Sequence, residues 1–324
     1  MSFAVELPQS EYNKDAFAHF QPAAGFTPGN ALATAWISQL AYETHLPDKI
    51  RTIDALWQLA EIRIVQQPAK TALKSALPLS DTRGIIANKD EALIIAFAGT
   101  DPLNLLNWVS NFYLGQSTAD AHAGFLAAAA AVWPQVGAAI ESCMQERRPL
   151  FVTGHSLGAA IALATLDCAR SEMRFDTAQV FVFGAPRVGR ADFVARYNAA
   201  FGPTTYRLVH GRDIVPTVPF SELGFRHVGR FLSCGSGTKF DLTKLVAGPD
   251  SDEPSSGTGF FSGVAVRLRD LFGTPSPTSR TDAFGKLTLL LAPSIGDHLP
   301  DRYCTALTPA SVQGDPPTFA PTLK

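Results

Sequence analysis

Between residues 91 and 210, short apolar runs alternate with stretches of helical periodicity, and this alternation constrains the fold more than any other feature of the chain. The segments 91–98 (EALIIAFA), 149–153 (PLFVT), 178–183 (AQVFVF) and 204–209 (TTYRLV) read as strands. Between them lie an alanine-rich helical stretch, an apolar helix running to about Arg170 and a helix over 190–201. Strands that alternate with helices predict βαβ units, so the fold class is α/β, with a mostly parallel central sheet and helices on both faces. The 91–98 run is apolar on both sides, which places it at the centre of the sheet. Upstream, 62–65 and 83–88 read as further strands, and 29–43 and 49–60 as two N-terminal helices.

The chain has 324 residues, 46% hydrophobic and 17% charged, enough to bury a substantial core. Its 27 basic residues against 29 acidic ones give a net charge of -2. That balance lacks the basic footprint of a phosphate-backbone binder, so nucleic acid is not an expected partner. Cys143, Cys168, Cys234 and Cys304 contain no CxxC pair, which argues against a zinc site and a dense disulfide framework; four cysteines can pair in three ways and spacing does not choose. No metal and no cofactor is expected. Residues 123–140 carry no charge over 18 positions, the lower limit for a membrane span. Their apolar content is mostly alanine, and Pro134, Gln135 and Gly137 interrupt the second half, so a helix packed on a sheet is the better reading and no transmembrane segment is expected. The start, MSFAVELPQS, has no basic segment followed by an apolar one, which predicts a cytoplasmic or non-classically exported protein.

The segment Gly154-His155-Ser156-Leu157-Gly158 is a GxSxG pentapeptide. The spelling alone is common by chance; its position between a strand and a helix is what carries information. A sharp strand-to-helix turn holds the serine in a strained conformation, and side chains two positions either side would collide. Ser156 then projects from the carboxyl edge of the sheet as a nucleophile, and the helix N-terminus lets the Leu157 N–H stabilise an oxyanion. The bland alternative is an inert turn capped by serine.

A serine nucleophile needs a base and an orienting acid, in the chain order Ser, Asp or Glu, then His. Of the histidines after Ser156, His210 lies at a strand end, His227 inside a strand-like run, and His298 in a loop-like Asp-His-Leu-Pro. Only His298 leaves room for an acid in every arrangement. Asp213 follows strand 204–209, where loops at the carboxyl end of a sheet gather, whereas Asp176 and Asp192 fall before or between elements. Position alone leaves Asp213 open to a turn-capping role and His298 to a surface or helix-capping role.

The set AFAGT (96–100), NWVSN (107–111), HAGF (122–125), GHSLG (154–158), FGAPRVG (183–189), RDIVPTVP (212–219) and DHLPDRY (297–303) resembles the class 3 lipase family of the α/β-hydrolase superfamily, of the fungal triacylglycerol-lipase type. The resemblance spans roughly residues 91–303 and implies an α/β-hydrolase fold with a lid. It implies Ser156, Asp213 and His298 as the catalytic triad, and Thr100 with Leu157 as the oxyanion donors. Ala98 stands where the family usually carries arginine, a departure that removes no catalytic atom. The family's helical lid maps to 102–107, with Leu103, Leu105 and Leu106 as its apolar, substrate-facing residues; an ordinary buried turn is the alternative. Asp213 and His298 stand 85 positions apart, long for a family core, so an insertion over 233–296 is expected before the base. It holds a Gly/Ser/Pro/acidic loop at 249–259, an amphipathic segment at 260–273 and a short helical candidate at 283–292.

The expected organisation is one α/β-hydrolase domain over 1–324, with an N-terminal helical segment (1–60), a catalytic core (61–232) and that C-terminal insertion. The expected activity is hydrolysis of carboxylic ester bonds in acylglycerols through an acyl-enzyme, with a lipid or other ester as substrate and transient contact with a lipid interface. The same machinery fits phospholipase A1 or a feruloyl-type esterase, and a different class of reading is a non-catalytic acyl-binding protein that keeps the scaffold.

Overall fold

The structure, a computed structural model, describes residues 5–68, 81–100, 105, 108, 109, 121–245 and 294–309. Seven strands form one sheet in strict sequence order: β1 (Ala60–Pro68), β2 (Asp81–Lys89), β3 (Ala92–Phe97), β4 (Leu150–His155), β5 (Gln179–Phe183), β6 (Thr205–His210) and β7 (Arg230–Cys234). β1, β2 and β3 pair antiparallel; β3 through β7 pair parallel. The mostly parallel sheet is as expected, and β3 is buried along its whole length. The β7 strand was not foreseen as such: the strand-like run around His227 begins pairing only at Arg230.

α1 and α2 precede the sheet (Pro28–Leu40 and Pro47–Trp57); α3 (Ala121–Gln145), α4 (Leu157–Met173) and α5 (Ala191–Ala200) lie in the three crossovers from β3 to β6, and short 3-10 turns lie between β6 and β7. Right-handed crossovers in an unreversed strand order must land on one face. The alternating pleat shows the result. Leu93, Ile95, Phe97, Leu150, Val152, Val180 and Val182 join one core with Phe125, Val132, Ile161, Leu166 and Phe193 from the crossovers. Their neighbours Ile94, Phe151, Phe181, Phe183 and Leu208 point the other way, into a second core.

That second core is covered by the two ends of the chain. Residues 7–57 supply Phe17, Trp36, Ile37 and Trp57, and the C-terminal helix α6 (Pro300–Leu307) adds Tyr303, Cys304 and Leu307 against α1. Thr27 caps α1 by accepting the Asn30 N–H at 3.0 Å, and Pro28 and Pro47 occupy the first turns of α1 and α2, where a missing N–H costs nothing. Helices therefore cover both faces, as the alternation predicted.

The alanine-rich segment becomes α3. By length and composition it passes for a membrane span, yet half of its most apolar window is buried, and Phe125, Val132, Val136 and Ile140 lie on the face turned to the sheet. All four cysteines are free thiols. The lid positions Leu103 and Leu106 and the segments 249–259, 260–273 and 283–292 lie outside the described residues.

Candidate active site

Ser156 sits at the joint between β4 and α4 with φ 59° and ψ -128°, a backbone conformation that non-glycine residues adopt only when the surroundings force it. Both flanking glycines are required by close approach. A Cβ on Gly154 would stand 2.4 Å from the Gly158 oxygen, and one on Gly158 would stand 2.3 Å from the Phe97 oxygen. The turn is pinned from β5, whose Phe183 oxygen accepts the Ser156 N–H at 2.9 Å. Leu157 opens α4, so its N–H belongs to the first turn, which has no intrahelical acceptor and carries the positive end of the helix dipole.

Asp213 lies three residues past the end of β6, fully buried in side chain. One carboxylate oxygen accepts the Val215 N–H at 2.8 Å; the other accepts His298 Nδ1–H at 2.7 Å and the hydroxyl of Tyr303. Burial and the facing Asp213 carboxylate push the Tyr303 phenol well above its ordinary range, so it stays a donor. Gly184, with φ 57°, makes room for this pair: a Cβ there would stand 2.6 Å from Asp213 Oδ2 and 2.9 Å from the His298 ring. Donation by Nδ1 leaves Nε2 as the basic nitrogen. Among the described residues, His298 Nε2 and Ser156 Oγ are both buried and neither has a hydrogen-bond partner.

His298 is not in a loop. It ends a helical turn over 294–298 and leads directly into α6, so the candidate base comes with the layer that carries α6. The neighbouring Asp297 is a tether. Its carboxylate accepts the Arg212 N–H at 2.8 Å and the Ser236 hydroxyl at 2.5 Å, and its carbonyl accepts His210 Nδ1–H at 3.1 Å. The rival histidines are spoken for elsewhere: His210 accepts the Gly237 N–H through Nε2, and His227, just ahead of β7, bonds the Pro216 carbonyl at 2.9 Å. Asp176 and Asp192 lie away from this cluster, Asp192 in the first turn of α5.

Thr100, Leu105, Ile295, His298, Leu299 and Pro300 line one narrow cavity, with Val5, Tyr42 and His155 completing it. It has room for about one water. Leu105, within the segment expected to be the lid, is helical and 2% exposed. Ser156 is itself 1% exposed, so an ester reaches it only after its cover moves.

Three residues here escaped sequence reasoning. Tyr42 came with no motif. His155 stood inside GHSLG but was passed over because only histidines after the serine were weighed as bases. Tyr303 ends DHLPDRY, and its spacing from His298, one helical turn and a little more, was the available signal.

Comparison with known proteins bears on this geometry. The model of the class 3 lipase family matches residues 94–223, which contain Ser156, Leu157, Thr100 and Asp213. The chain is 35% identical over 153 residues to a secreted mono- and diacylglycerol lipase of Fusarium solani, covering 43% of each chain. It is 37% identical over 166 residues to a lipase of Rhizopus niveus, covering 47% of this chain and 41% of that one. These matches make the stretch around residues 94–223 similar to the class 3 lipase family.

A solved structure of MDLA from Penicillium cyclopium is 21% identical, with a TM-score of 0.50, over 78% of this chain and 92% of that one. At that identity the likeness speaks for the fold alone, and the fold of this chain is the α/β-hydrolase fold. The chain spans less than half the length of the curated relatives it matches first. One expectation is corrected. The lack of a visible leader pattern predicted a cytoplasmic or non-classically exported protein, whereas relatives from Fusarium solani and Penicillium are named secreted lipases, which points to the extracellular side.

Proposed function

We propose that this chain is a serine carboxylester hydrolase acting on acylglycerols. The observation that carries the reading is the pair of buried groups with nothing to bond: Ser156 Oγ at a strained strand-to-helix turn, and His298 Nε2 with its other nitrogen held by Asp213 at 2.7 Å. A buried polar group left unsatisfied costs about 1–3 kcal/mol, so two in one site ask for a function. Hydrogen bonds between nucleophile and base are commonly long before substrate binds and tighten in the complex.

In the proposed reaction Ser156 Oγ attacks the ester carbonyl while His298 Nε2 takes the hydroxyl proton and returns it to the leaving alcohol. Asp213 fixes the tautomer and stabilises the imidazolium. The oxyanion forms against the N–H of Leu157 and the N–H or hydroxyl of Thr100, where α4 contributes its positive end. Water then releases the acyl group by the same route.

The substrate class follows from the lining. Val5, Leu105, Ile295, Leu299 and Pro300 give the narrow cavity an apolar lining, the surface a fatty acyl chain would meet once the site widens. Mono- and diacylglycerols are the first substrates to try, because they name the activity of the Fusarium solani relative. The apolar cover, Leu105 included, would open where a lipid interface offers it somewhere to go.

Ser156→Ala tests the reading. It removes a hydroxyl that bonds nothing, so the melting temperature is expected to hold while kcat on a p-nitrophenyl ester falls about 10⁴–10⁶-fold. Undiminished turnover sinks the assignment. Comparing diolein, phosphatidylcholine and methyl ferulate in the wild type checks the substrate, and preference for methyl ferulate would overturn the acylglycerol assignment.

A further inference from the structure

Tyr42 and His155 occupy the seam where the nucleophile turn, the end of β3 and the base-bearing turn meet. Tyr42 is 6% exposed and His155 2%. The Tyr42 hydroxyl lies 2.7 Å from His155 Nδ1, and His155 Nε2 lies 2.6 Å from the backbone carbonyl of His298. The imidazole rings of His155 and His298 are 4.5 Å apart between centroids. On the other side the main chain of Gly99 lies against the Tyr42 oxygen: a Cβ at Gly99 would stand 2.1 Å from that oxygen, 2.8 Å from the His155 oxygen and 2.9 Å from Ser156 Cβ.

The protons in this chain are fixed by elimination. A carbonyl oxygen only accepts, so His155 Nε2 carries the hydrogen. Burial, together with the adjacent His298, holds the imidazole well below its ordinary range and therefore neutral. Nδ1 is then a lone pair, and the Tyr42 hydroxyl must donate to it. The direction runs Tyr42 O–H to His155, and His155 N–H to the His298 carbonyl.

We propose that Tyr42 and His155 are positioning residues that lock the main chain of His298 against the nucleophile turn and the Gly99–Thr100 corner, so that His298 Nε2 is held at working distance from Ser156. The inference rests on the hydrolase reading. Neither side chain touches the reacting atoms. Without the Tyr42 hydroxyl, His155 is free to adopt the other tautomer, which turns a lone pair toward the His298 carbonyl and pushes the base away.

Labelling of Ser156 by a fluorophosphonate and turnover of a p-nitrophenyl ester are followed together. Tyr42→Phe removes one oxygen and is expected to lower kcat and the labelling rate about ten-fold with KM unchanged. His155→Leu is expected to fall further, and His155→Gln, whose amide both donates to His298 and accepts from Tyr42, to recover most of the rate. Tyr42→Phe added to His155→Leu costs little more, because both cut one chain. In the wild type, nitrogen NMR of the histidine rings is expected to report a neutral His155 protonated on Nε2; this measurement stands even if a variant misfolds. A wild type that is not labelled at all overturns the hydrolase reading and the positioning role with it. A labelled wild type whose Tyr42→Phe variant reacts at full rate, or a His155 protonated on Nδ1, overturns the positioning role alone.

Discussion

The two faces of the sheet are built from different kinds of chain. The crossover face is local: α3, α4 and α5 each cover the strands they connect, over residues 92–210. The terminal face is assembled from residues 7–57 and α6, which lie about 250 positions apart in sequence and pack against each other. Closing long loops costs entropy before any contact repays it, so the terminal layer is expected to form later and to separate more readily than the crossover face. The candidate site straddles this division. Ser156 and Asp213 come from strand ends of the sheet itself, while His298 arrives with α6, and the hydrogen bond between Asp213 and His298 spans the seam.

The sharpest way to probe the seam is Asp213→Asn. It leaves both cores filled but alters the group that sets the His298 tautomer, and kcat is expected to fall about 10⁴-fold, roughly 5.5 kcal/mol on the barrier. Steady-state turnover of a p-nitrophenyl ester measures it. A loss under about ten-fold would mean that the terminal layer positions the base without help from the sheet.

Next in size is a matched pair of core truncations. Phe125 lies in the crossover core, its ring 6.4 Å from that of Trp108; Phe151 lies in the terminal core, 4.8 Å from Phe20 and 6.3 Å from Phe181. Changing either to alanine is expected to cost about 3–5 kcal/mol in urea unfolding. The difference lies in how the loss appears. Phe151→Ala loosens the contact of Phe20, so limited proteolysis is expected to cut within the N-terminal segment before the rest unfolds, whereas Phe125→Ala is expected to melt as a whole. Equal early cleavage in both variants would break the distinction between the faces.

The same division explains what the sequence disclosed. Periodicity reports local structure, so β3, β4, β5, β6 and the crossover helices were readable within a few residues. GHSLG announced its own turn because the glycines are demanded by backbone contacts only a few residues away or at the adjacent strand end. The candidate acid and base are a different matter. Asp213 and His298 were each placed by position and then by resemblance, since nothing local distinguishes a triad member from a turn or cap residue. Tyr42 was invisible for the same reason: its partner His155 is 113 positions away, and no pattern in the N-terminal helices marks one buried tyrosine as bonded to the elbow. His298 was read as a loop residue because Asp-His-Leu-Pro resembles a turn; the proline instead starts α6, one residue after Leu299.

The smallest effect concerns acid and again compares the seam with one face. His155 and His227 are both buried and both held well below their ordinary value of 6.5, His155 by burial and the nearby His298, His227 by burial and the charges of Arg207 and Arg187. His155 faces Tyr42, Tyr303 and His298 at the seam; His227 packs against the segment after β6. With folded values below the unfolded one, the unfolded chain binds more protons as pH drops through 6.5. The stability these histidines contribute is therefore complete above about pH 6.5 and declines below it, by at most about 1.4 kcal/mol per pH unit for each ring. Asp301 acts in the opposite sense, because burial raises its carboxyl and the folded state gains from taking up a proton. Comparing wild type with His155→Gln between pH 7.5 and 5.5 cancels Asp301 and His227 and isolates the seam. The urea midpoint of the variant is expected to fall less steeply with acid by about one proton, and equal slopes would show that His155 takes up its proton in the folded state as readily as in the unfolded chain, which would remove the neutral ring that the seam requires.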